Sequence, residues 1–142
     1  MEAGAGISIL DPYEWLPPYG ENAVILELRG VGLTLKMEYD AEEGLQATCY
    51  RELRFDMVCA FSRTAFPGIP LFNVNYSSNV QAPSMGALIE YPASEAALAW
   101  ERHFGGSRSV KHFKIAFLSE NLLVEIFASS VTLGDEVIIT NQ

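Results

Sequence analysis

Two histidines and two cysteines are the residues here whose types bear most directly on chemistry. His103 and His112 could serve as acid–base groups or metal ligands. Neither stands in an H-x-E or H-E-x-x-H spacing. His103 falls late on a helical stretch, where its charged form suits the negative end of the dipole. His112 falls on the polar-facing side of a strand together with Lys114. Both are expected to be structural or solvated. Cys49 and Cys59 are not a C-x-x-C pair, and an unbroken strand would hold them more than ~30 Å apart. They fall on the apolar side of the pattern, so separate, buried, unbridged thiols are expected. No metal site and no cofactor is expected.

Nor does a hydrolase signature stand out. Glu52 and Asp56 could form an acid pair, but they alternate with Arg54 on one polar strand face, as a cross-strand salt-bridge ladder would. No G-x-S-x-G, P-loop or G-x-G-x-x-G follows a strand. The "GAG" at residues 4–6 lacks the rest of a dinucleotide fingerprint. No catalytic residue is assigned, and an enzyme is the less favoured class.

Charge and aromatic residues say more. The 142 residues carry a net charge of −9, and residues 1–43 hold nine of the eighteen acids against only Arg29 and Lys36. A chain so acidic is a poor ligand for nucleic acid, which needs a basic stripe. It would attract a basic protein surface instead. The stretch "EYDAEEG" at residues 38–44 carries Glu38, Asp40, Glu42 and Glu43 between two alternating apolar runs. It suits a solvated hairpin tip, and such a tip can also dock a partner. The segment "DPYEWLPPYGEN" adds Asp11, Glu14 and Glu21, with Tyr13, Trp15 and Tyr19 among prolines. Large aromatics in this setting suit either a binding surface or an arm tied down on a sheet. These ten residues form the expected partner-binding face.

The elements that must position them are mostly strands. Residues 1–22 form an arm, and 23–142 a β-rich body of one domain. The apolar phase flips from even to odd numbers at Arg29-Gly30, which requires a bulge or tight turn there. Residues 45–61 keep their apolar side on odd numbers except at Arg51, a run long enough for one bent strand or two short ones. "LFNVNY", "ALIEY", "KHFKIAF", "LLVEIFA" and "VTLGDEVIIT" add further strands. The only convincing helix spans about residues 94–104, capped by Ser94, carrying Ala97, Trp100 and Phe104 on one stripe and ending at Gly105. Six to eight short strands and one helix predict a mainly β (α+β) fold, an antiparallel sandwich or half-barrel. No apolar run reaches the ~20 residues of a membrane span. Glu2 and the lack of basic residues near it argue against a leader, so a cytoplasmic location is expected.

Two segments carry a resemblance. "LTLKMEYDAEEGLQATCYRELRFDMVCAF" resembles a strand, acidic turn and long returning strand found in small acidic bacterial β-rich proteins. "HFKIAFLSENLLVEIFASSVTL" is similar to the closing strands of the same group. Some of its members are immunity proteins of polymorphic or contact-dependent toxin systems. The resemblance implies a cytosolic, non-catalytic protein that binds and neutralises a cognate toxin domain with a basic surface. The alternatives are a small-ligand or carbohydrate-binding β-sandwich that stacks its ligand on Trp15, Tyr13 or Tyr76, and a small hydrolase or lyase with a half-barrel pocket.

Overall fold

The structure, a computed structural model, describes residues 1–41, 47–69, 71–76 and 85–139. Within them the chain forms β1 (Ile7–Leu10), β2 (Ala23–Arg29), β3 (Gly32–Asp40), β4 (Thr48–Asp56), β5 (Ala60–Ala65) and β6 (Leu88–Glu90). There follow α1 (Glu95–His103), β7 (Lys111–Phe117), β8 (Leu122–Ala128), β9 (Ser130–Leu133) and β10 (Val137–Ile139). One antiparallel sheet has the order β1-β6-β7-β8-β5, and the other β10-β4-β3-β2, with β9 also on β4. The mainly β reading with one helix holds.

Period-two alternation builds the core. Leu33, Leu35 and Met37 of β3, with Leu53 and Phe55 of β4, face inward from one sheet. Phe113, Ile115 and Phe117 of β7 and Leu122, Val124 and Ile126 of β8 face them from the other. Phe55 meets Phe113 edge-on, ring centroids 5.5 Å apart, so one aromatic pair spans the two sheets. The phase flip at Arg29-Gly30 is a two-residue hairpin loop. Arg29 pairs with Gly32, and Gly30 has φ 57°, the left-handed conformation that glycine adopts without steric cost.

The long odd-numbered run is two strands, not one. After Asp56 the chain leaves its sheet, crosses at Met57, Val58 and Cys59, and re-enters the other sheet as β5. β8 makes the reverse crossing into β9 through Ser129. The Cys59 N–H donates to the Phe127 carbonyl and the Ser129 N–H to the Asp56 carbonyl, so the two bent strands stay paired around the corner. The sandwich is therefore joined along this side, as in a half-barrel.

Four details differ from the sequence reading. The strands number ten among the described residues rather than six to eight, because the arm contributes β1 and the C-terminal run splits at Gly134 into β9 and β10. "LFNVNY" is not a strand. Phe72 and Asn73 both have positive φ, which turns the chain, and only Asn75 bridges Glu2. Phe72, Val74 and Tyr76 nevertheless pack into the second apolar cluster with α1. The third difference lies at Arg54, whose ion pair to Glu52, at 3.4 Å, runs along β4 instead of across strands. The fourth is His112, which is fully buried rather than polar-facing, because α1 and the arm cover the outer face of its sheet.

The helix begins and ends as its sequence requires. Ser94 Oγ accepts the Ala97 N–H at 3.2 Å, and Gly105 has φ 64°. The arm is tied to this region. The Glu95 N–H donates to the Glu2 carbonyl and the Ala3 N–H to the Asn75 carbonyl, and Ala3 is fully buried. No helix among the described residues is long and apolar enough to cross a membrane.

Candidate functional site

The arm, the end of β3 and the break between β9 and β10 meet in a groove of about 810 Å³. A short 3-10 turn, Pro12–Glu14, starts it, with Asp11 Oδ1 accepting the Tyr13 N–H at 3.0 Å. Pro17 and Pro18 then fix the backbone that carries Trp15 and Tyr19 along the groove wall. Its other lining residues include Glu14, Tyr39, Asp40 and Glu136. No lysine or arginine lines it among the described residues.

Trp15 tilts against Tyr39, ring centroids 5.4 Å apart, and the Arg51 guanidinium lies over the indole at 4.9 Å. Arg51 also donates from Nε to the Gly134 carbonyl. This explains why β4 carries a cation on its otherwise apolar side. Tyr39 donates its hydroxyl to Glu136, and burial first, then that hydrogen bond, push the phenol far above its ordinary value. Tyr19, 63% exposed, donates to Asp40 at 2.7 Å, and Asn22 donates to the other oxygen at 2.7 Å. Those two bonds hold the Asp40 carboxyl below the usual carboxylate range. Asp40 thus keeps its negative charge into mildly acid solution.

Four of the ten expected docking residues come together here: Glu14, Trp15, Tyr19 and Asp40. Glu38 lies on β3 within 3.8 Å of Lys36 and does not line the groove. Asp11 is a cap, and Tyr13 packs over Gly86, where a β-carbon would meet its ring at 2.4 Å. Glu21 turns inward and is 4% exposed, so it is not available to a partner. Glu42 and Glu43 lie outside the described residues, between strands that pair Asp40 with Thr48. Glu136 escaped the sequence reading. The glycine at 134, which interrupts the last strand, was the signal that its neighbours are re-aimed.

His112 stands in a different constellation. Tyr76 donates its hydroxyl to Glu125 Oε2, so at His112 the Nε2–H donates to Tyr76, 3.0 Å away. Nδ1 pairs with Ser94 Oγ at 2.8 Å. Phe127 stacks on the imidazole at 4.4 Å, and Tyr91 lies tilted against it at 4.9 Å. Ser94 and His112 are both buried, so no substrate reaches the hydroxyl, and the network forms a polar seam beneath α1 in which Glu125 Oε1 alone is left without a hydrogen-bond partner. His103, by contrast, is exposed at the end of α1. Cys49 and Cys59 are free, and burial raises both thiols. Among the described residues no cluster of acids, histidines and cysteines could hold a metal ion.

No family model matches this chain, and no curated protein or solved structure matches it significantly.

Proposed function

We propose that the protein works by contact, docking a basic protein domain in the acidic aromatic groove and blocking it, as an immunity protein blocks its toxin. One observation carries this reading: Glu14, Asp40 and Glu136 ring a groove walled by Trp15, Tyr19 and Tyr39, with no cation among its described lining residues. Aromatic anchors with low rotamer freedom and desolvated charge partners are what concentrate binding energy at protein interfaces. The groove gives each a place. A lysine or arginine entering it gains carboxylate partners, and its stem or guanidinium packs on the rings. The concentration of acid in residues 1–43 extends the field and would speed encounter. Residues 33–61 and 112–133 resemble a group of small acidic bacterial β-rich proteins, some of which are immunity proteins, and that resemblance points the same way.

The test is co-expression with the product of the reading frame beside this gene. Wild type should co-purify with it and relieve its toxicity. The Glu14→Lys/Asp40→Lys double variant should fold yet lose most of that protection. Full protection by the double variant would overturn the reading.

A further inference from the structure

The outer face of the β7–β8 sheet carries a second concave site. Register places Ile89, Lys114, Glu125 and Ser62 in one row across β6, β7, β8 and β5. Two cavities flank this row and share Tyr76, Lys114 and Leu123. One, about 240 Å³, is lined by Ser62, Thr64, Ile69 and Glu125. The other, about 330 Å³, is lined by Phe66, Met85, Ile89 and Ala116 and is chiefly apolar.

The row is not closed on itself. Glu125 is 6% exposed, its Oε2 is taken by Tyr76, and its Oε1 is buried without a hydrogen-bond partner. Lys114 stands directly across from it in the register, yet no ion pair within 4 Å joins them. The ammonium sits instead over the Tyr76 ring, 3.7 Å from its centroid, and one face of that ring is thereby covered. Tyr76 is accordingly no open stacking platform. A buried carboxylate oxygen left unsatisfied is costly, so its environment favours a bound donor.

We propose that this cleft binds a small neutral amphipathic ligand whose head, of the carboxamide type, donates to Glu125 Oε1 and accepts from Lys114 Nζ while its apolar body fills the chamber beside Leu123. Lysine and glutamate cancel in charge, which disfavours a head that is itself an ion. An amide presents a donor and an acceptor side by side, matching the two unlike groups of the row. The 330 Å³ chamber lies at the small end of ordinary ligand sites, which suits a compact body.

Benzamide is the probe, with benzoate and benzylamine as charged counterparts of the same shape, titrated into the full chain and followed by amide NMR shifts. Benzamide should give saturable shifts at Ser62, Lys114, Leu123 and Glu125, and the two ions should bind about tenfold more weakly or worse. Glu125→Gln keeps an acceptor for Tyr76 but turns a donor toward the cavity, and it should weaken benzamide by about tenfold or more. Should that variant misfold, Lys114→Met, which keeps the aliphatic stem, and Ser62→Phe, which fills the smaller cavity from an edge strand, test the same point. Absence of saturable binding, equal binding of either ion, shifts confined to the Trp15 groove, or unchanged affinity in the folded variants would each overturn the proposal.

Discussion

Tyr91 shows how the buried seam shapes stability at the residue scale. Burial first, and the Glu125 carboxylate second, push its phenol up to about 12 from an ordinary 10.0. Between those values the folded chain holds a proton that the unfolded chain has lost. Its contribution is complete below about pH 10 and is lost as pH rises toward 12. Denaturant melts should therefore weaken steeply across that interval, and Tyr91→Phe should flatten part of the loss; an unchanged profile would contradict this. Ser94 serves both α1 and His112, so Ser94→Ala should destabilise by about 1–2 kcal/mol in the same melts. The cap at Ser94 and the glycine stop at Gly105 were legible from local residue type alone. The seam was not. His112 alternates with Phe113, and alternation says only that the two face opposite ways, not that α1 will cover the second face. The Lys114–Glu125 pairing was within reach, since the short turn after Phe117 fixes the register of β7 against β8.

Among the elements, the arm departs furthest from the loop that its prolines suggest. β1 adds to a sheet edge, and Trp15 closes the open end of the sandwich against Tyr39 and Arg51. Trp15→Ala should cost about 2 kcal/mol, less than the loss at a fully buried aromatic because the indole is only half-buried. Phe55→Ala, fully buried between the sheets, should cost about 3–5 kcal/mol. Equal losses at both sites would mean that the arm is as deeply integrated as the core. The hairpins and the helix followed from periodicity, whereas the turn at Phe72-Asn73 did not. Its apolar residues alternate like a strand, and only the backbone reveals the left-handed pair.

At the scale of the whole molecule, two acids of the first third of the chain reach the end of the sandwich. The arm brings Glu14 there, β3 brings Asp40, and the interrupted last strand brings Glu136. Sequence patterning located the first two and could not find the third, because a side chain from the far end of the chain reaches the groove only through pairing on β4. The groove reading rests on charge, and charge acts at a distance that salt controls. The most direct test is the association rate with the product of the neighbouring reading frame, measured against ionic strength for wild type and Glu14→Lys/Asp40→Lys. Both residues are exposed, so the exchange should leave folding nearly intact. The account predicts fast association of wild type at low salt, falling as salt rises, and a slower, flatter dependence for the variant. Matching rates for the two proteins at low salt, or no complex at all, would contradict it.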